Sequence, residues 1–237
     1  MKQGFIIAFL ILSGLSGCSS CRENGQDFVS WEQYLVPESE YATAEDEIEV
    51  SFPVAEGPFA EQINGQIRQT ILTFLGVSEE TVSAAVDTLL SFRNNFSTLR
   101  HIPYTIIVNG EPSQFGHTAS VILNLYQYLG GAHGIGTVSC LSFDTRTGKP
   151  RNPLSLFDNP DSLARLNRQF FLETAPEQAE HLFMPVGELP LPENMLLDSA
   201  GLHIFYDPYE IAPYSSGPTE YTIPLDDLRG LLREKIL

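Results

Sequence analysis

The sequence predicts an α+β protein, antiparallel sheets packed by helices, in which a small strand–helix–helix part leads into a larger C-terminal part. Three observations predict it. Apolar residues recur every four positions between Phe59 and Leu75, the period changes to two between Tyr104 and Phe143, and one more helical run, Asn159 to Ala175, separates that alternation from further strands near the C-terminus. Helices and strands segregated in this way define α+β rather than α/β.

The chain begins with Met1-Lys2-Gln3 and a mainly apolar run from Phe5 to Leu15, which is too short to span a bilayer and suits a secretion signal. Leu15-Ser16-Gly17-Cys18 resembles the bacterial lipobox. That likeness implies a lipoprotein signal peptide over residues 1–17 and an acylated Cys18 as the first mature residue, in the cell envelope. Several acyl chains, at about 0.8 kcal/mol per buried methylene, exceed the single-chain case that binds only reversibly, so the membrane is an expected partner. Ser19 in place of Asp favours the outer membrane by the sorting rule of Gram-negative bacteria. Residues 18–44 are polar and aperiodic, as a tether should be, with Phe28, Trp31 and Tyr34 as candidates for packing.

Residues 45–103 are expected to form the small N-terminal part. Ile48, Val50 and Phe52 alternate with Glu49 and Ser51, giving a strand from Glu47 to Val54. Pro58 opens a helix that carries Phe59, Ile63, Ile67, Ile71 and Leu75 on one face and stops at Gly76. Ser78 is the expected cap of a second helix, with Glu79 and Glu80 in its first turn and Val82, Val86, Leu89, Leu90, Arg93 and Phe96 continuing it to about Asn95.

Residues 104–237 form the larger part. Strands are expected at Tyr104–Val108, Thr118–Tyr128 and Thr137–Phe143, with Asn109-Gly110 as a hairpin signal that Pro112 weakens. Asp144 to Lys149 makes a tight turn, and Asn159-Pro160 starts a helix with Leu163, Leu166, Phe170 and Phe171 inward. Strands follow at Asn194–Ser199, Leu202–Asp207 and Glu220–Ile223, and a terminal helix holds Leu225, Leu228, Leu232 and Ile236. Between them, Pro208 to Pro218 is a proline-stiffened aromatic loop.

Thirty acidic residues against 13 basic ones give a formal charge of -17, a field that repels nucleic acid and favours a cationic partner. With Cys18 acylated, Cys21 and Cys140 remain, and they pair in an oxidising compartment or leave Cys140 as a buried thiol in an apolar strand. The histidines and cysteines show no metal-site spacing, and no nucleotide loop or serine elbow occurs, so neither a metal nor a cofactor is expected.

Gly130-Gly131-Ala132-His133-Gly134, Phe143-Asp144 with Thr147-Gly148-Lys149, Leu156-Phe157 and the run Phe205 to Tyr214 with Gly217-Pro218 together resemble the C-terminal domain family of RsiV-like proteins. That family has no assigned general function and occurs in a lysozyme-binding anti-sigma factor and in peptidoglycan deacetylases. Neither a deacetylase domain nor a sigma-binding segment resembles anything here. The resemblance therefore implies an extracytoplasmic binding module, for a basic protein such as lysozyme or for cell-wall glycan. The candidate ligand-binding residues are Gly130, Gly131, His133, Gly134, Tyr206, Asp207, Tyr209, Glu210 and Tyr214. An envelope enzyme using His133 and the carboxylates of Asp207 and Glu210 is the alternative, since a histidine beside carboxylates suits acid–base work. The plainer account keeps the glycines for backbone turns and the tyrosines as plugs at the end of a sheet.

Overall fold

The computed structural model describes residues 29–233. The expected signal peptide, Cys18, Cys21, Phe28 and Ile236 lie outside them. The architecture is α+β, as predicted, with eight strands in two sheets among the described residues. Ser30–Leu35 (β1), Glu47–Glu56 (β2), Thr105–Phe115 (β3), Thr118–Tyr128 (β4) and Ile135–Asp144 (β5) lie in that order in a five-stranded sheet. Asn194–Leu197 (β6), Gly201–Tyr206 (β7) and Thr219–Pro224 (β8) make a three-stranded antiparallel sheet. The larger sheet runs across position 103/104, and the two hydrophobic cores divide after β5.

The helices Ala60–Leu75 (α1) and Val82–Asn95 (α2) cross from β2 to β3 and make that pair parallel, the one exception to the antiparallel pairing expected. The four-residue period holds: Ile63, Ile67, Ile71 and Leu75 are buried on α1, which ends at Gly76 in the left-handed region with φ 71°. The cap of α2 is Thr81 rather than Ser78, its hydroxyl accepting the Ala84 N–H at 3.2 Å. α2 ends at Asn95, as expected, and Phe96 follows its last turn, 46% exposed.

Asn109-Gly110 is not a turn. β3 continues to Phe115, and the chain reverses at Gly116-His117, with Gly116 at φ 56°. Gly110 is required for closeness instead: a Cβ there would stand 2.5 Å from Pro53 Cδ. Pro53 offers no N–H, and the β2–β3 ladder ends before it, at Ser51 opposite Asn109. Residues 30–35, expected within the tether, form the edge strand β1 on β2, where Tyr34 lies 5.2 Å from the Phe52 ring.

In the second half, Asn159 caps the helix Pro160–Thr174 (α3) by accepting the Ser162 N–H at 3.0 Å, and Leu163 and Phe171 are buried. A short helix, Pro176–Ala179 (α4), follows. The expected terminal helix is a single turn, Leu225–Leu228 (α5); Leu232 leaves it to form a β-bridge with Phe157. Among the described residues no helix is long and apolar enough to cross a membrane.

Candidate functional site

The glycine-rich loop and the aromatic loop meet at the end of the larger sheet where β4 finishes and β5 starts. Positive φ values of 90° and 121° at Gly130 and Gly131 turn the chain there. Gly134 serves a different need, because a Cβ would come 2.2 Å from the Tyr126 hydroxyl oxygen. This bend lets Tyr214 reach across and donate to the Gly134 carbonyl at 3.2 Å. The His133 ring then stacks on Tyr214 at 4.2 Å, and Tyr209 lies 5.6 Å from Tyr214 on a tilted plane. Tyr209 sits in the left-handed region at φ 72° and is 60% exposed. A non-glycine residue held there is strained, and the strain presents its ring to solvent.

The second sheet holds this arrangement through the free edge of β5. The Val138 N–H donates to Asp207 Oδ1 at 3.1 Å, the Thr137 hydroxyl donates to Asp207 Oδ2, and the Cys140 N–H donates to Asn194 Oδ1 at 3.2 Å. Edge amides that would otherwise template another strand are thereby covered. Glu210 accepts the Asp207 N–H at 2.9 Å. Burial, and next the charges of Asp207 and Glu193, raise the pKa of Glu210 against the lowering effect of that hydrogen bond.

Seven of the expected residues, Gly130, Gly131, His133, Gly134, Tyr209, Glu210 and Tyr214, belong to these two loops or their contacts, and Asp207 clamps the loops from behind. Tyr206 is different. It is 1% exposed, donates to the Pro190 carbonyl at 2.6 Å and accepts from Asn167 Nδ2 at 2.8 Å, so it is a core residue rather than a ligand contact. The alternation Leu202, Ile204, Tyr206 already places it on the inward face of β7. Sequence reasoning missed Tyr126, Thr137 and Asn194, which stand in ordinary strand positions and join the cluster only through tertiary contact.

The acid–base alternative lacks its pairing. His133 Nδ1 donates to the Gly134 carbonyl at 2.8 Å, and among the described residues no hydrogen bond or ion pair joins His133 to a carboxylate. Both oxygens of Asp207 already accept from β5. No group of three or more His, Cys, Asp or Glu side chains able to hold a metal occurs among the described residues. A cleft of about 410 Å³ lies farther along β5, lined by residues that include Gln66, Cys140, Phe143, Pro150 and Arg151. Cys140 is a free thiol whose pKa burial, with the Asp207 charge, pushes up to about 12, so it packs as an apolar group and is a poor nucleophile.

Residues 156–226 match the family described as "Protein of unknown function (DUF3298)". Two solved structures share the fold. A DUF3298 family member from Bacteroides fragilis NCTC 9343 is 17% identical with a TM-score of 0.65, the match covering 87% of this chain and 94% of that one. A DUF3298 family protein from Pseudomonas aeruginosa PAO1 is 17% identical with a TM-score of 0.59, covering 89% and 95%. No curated protein matches the chain.

Proposed function

We propose that this chain is a binding module carried outside the cytoplasm on an acylated Cys18, and that the stack of His133, Tyr214 and Tyr209 is where it takes a basic protein of the lysozyme type. The observation that carries this reading is the exposed Tyr209 ring, held in a strained backbone beside two stacked rings. Rigid aromatic side chains give large contact area at low entropic cost, and they are the residue types that dominate binding hot spots. The formal charge of -17 adds long-range attraction for a cationic partner, which raises encounter rates when salt is low. Titration calorimetry of the full chain with lysozyme tests it. Measurable binding at low ionic strength is expected, weakened at least about tenfold by moderate salt and at least about tenfold by Tyr209→Ala, a change of about 1.4 kcal/mol or more. A titration without heat at low ionic strength, with no complex in sedimentation either, overturns the reading.

A further inference from the structure

We infer that the basic partner docks across the open face of the larger sheet, the face opposite α1 and α2, and that the aromatic loops hold it at one end. This rests on the binding role proposed above and assigns the surface that role would use.

Strand parity gives the sheet two unlike faces. Val50, Ile106, Val108, Val121 and Leu123 point to one side, where they are at most 6% exposed and pack with the buried residues of α1 and α2. Their neighbours in sequence point to the other. There the register places Glu49, Ile107 and Tyr126 in one row and Glu111 beside Ile122 in another, with Asn124 and Val138 paired between them. Every one of these is exposed or half-buried. Ile107, Ile122, Tyr126 and Val138 belong to neither hydrophobic core. A strand face turned only to water is polar along its length, whereas this one sets apolar groups among carboxylates, as a docking surface does.

Tyr126 joins this face to the aromatic loops. Its hydroxyl fills the space where Gly134 lacks a Cβ, and the Gly134 carbonyl accepts from Tyr214 at 3.2 Å. Burial raises the Tyr126 pKa, and Tyr214 and then the charge of Glu47 raise it further, so the stacked rings on one side and a carboxylate on the other both lie near its hydroxyl.

The charge of the face selects the partner. The five strands of the larger sheet contain no Lys or Arg. Glu47, Glu49 and Glu111 all lie on the open side, all exposed, and among the described residues none of them is in an ion pair. Arg146 and Arg151, beyond the far end of β5, are paired with Asp144. Arg100 and His101 belong to the connection that leaves α2, the helix on the covered side. A surface of lysines and arginines would therefore meet unneutralised carboxylates here.

The size of the face excludes a small ligand as its full occupant. β3 and β4 are each 11 residues long. At about 3.4 Å per residue and about 4.8 Å per strand, β2 to β5 present a face of about 37 Å by about 19 Å. That is roughly 700 Å², close to the ~800 Å² that one partner contributes to a standard protein interface.

The test uses the full chain and lysozyme as the folded basic probe. Glu49→Gln with Glu111→Gln removes two charges from the open face and is expected to weaken binding at low ionic strength at least about fivefold, with the thermal midpoint unchanged. Glu61→Gln with Glu80→Gln removes the same charge from α1 and the turn before α2, and is expected to weaken binding less than about twofold. Equal weakening by both pairs would mean that net charge alone attracts the partner, and the open face would be wrong while the binding module stands. Weakening by Tyr209→Ala without weakening by the Glu49 and Glu111 pair would have the same meaning. A parent chain that does not bind lysozyme removes both readings. A parent chain that sediments as a dimer, and as a monomer once Ile107→Ser is introduced, would assign the face to a second copy and overturn the basic partner there.

Discussion

The core beneath the five-stranded sheet buries a full ion pair, whereas the core of the three-stranded sheet buries a neutral amide between two phenols. In the first, Arg93 and Asp46 are joined with side chains 1% and 0% exposed, and the guanidinium also lies 5.1 Å from the Tyr104 ring centre. Asp46 accepts from the Tyr104 N–H at 2.8 Å and from the Thr43 N–H at 2.7 Å, so its lone pairs are satisfied. In the second, Asn167 is fully buried, its amide donating to Tyr206 at 2.8 Å and accepting from Tyr221 at 2.7 Å. The first network ties α2 to the segments that lead into β2 and β3, the second ties α3 to β7 and β8, and they titrate at opposite ends of the pH scale. Burial works to raise the pKa of Asp46, yet the bonds from Arg93, Tyr104 and Thr43 outweigh it and hold the carboxyl below its ordinary range. Burial raises Tyr206 to about 12 and lifts Tyr221 as well. Asp46 therefore contributes stability above the ordinary carboxylate pKa of about 3.9, and that contribution is lost as pH falls through its depressed value. The tyrosines contribute below the ordinary phenol pKa of about 10 and lose that as pH rises through their raised values.

The largest expected effect breaks the ionic side of this contrast. Arg93→Met leaves the Asp46 charge buried without its partner and should cost about 3–5 kcal/mol, read from urea unfolding near neutral pH. Arg93→Met combined with Asp46→Leu removes both charges and should recover part of that loss, and its stability should no longer fall as steeply below about pH 4. A single variant within about 1 kcal/mol of the parent chain would show that the pair is not the anchor of the first core.

Asn167→Leu probes the neutral side and should cost about 1–3 kcal/mol, because two buried hydroxyls lose a partner while Tyr206 keeps its bond to Pro190. No charge is uncovered, so the loss should be the same from about pH 5 to pH 9 in parallel urea titrations. A loss that changes with pH across that range would mean that the amide is coupled to an ionised group, and the contrast between the halves would fail.

What was legible in the sequence follows the same line between local and tertiary causes. The helices α1 and α3 could be read because their apolar period, Gly76 and the Asn159 cap are all local signals. β1 could not, since five of its six residues are exposed and an edge strand with little to bury shows no alternation. Asn109-Gly110 misled because the glycine answers a close approach by Pro53, a residue 57 positions away in the chain, rather than a turn. The loops of the candidate site were legible as composition, but their meeting was not, since it depends on Asp207 reaching Thr137 and Val138 some 70 residues earlier. Tyr206 was drawn into the site because its neighbours in sequence belong there, although the parity of β7 turns it inward.

The smallest effect lies at the seam between the two halves, where Asp207 of the second covers the edge of the first. Asp207→Ala uncovers the Val138 amide and the Thr137 hydroxyl, a loss of about 1 kcal/mol for part-exposed groups that water can reach. Asp207→Asn keeps a carbonyl oxygen for the Val138 N–H and removes one charge beside Glu210, so its stability should stay within about 0.5 kcal/mol of the parent chain. Amide exchange at Val138 discriminates the two: faster in the alanine variant and unchanged in the asparagine variant. Equal acceleration in both would mean that the charge, rather than the acceptor, holds the seam. The alanine variant should also loosen the Tyr214 contact with Gly134, because the same clamp sets where β5 begins. A loosened seam with both halves still folded would show that the two cores stand on their own networks and that the aromatic site belongs to the contact between them.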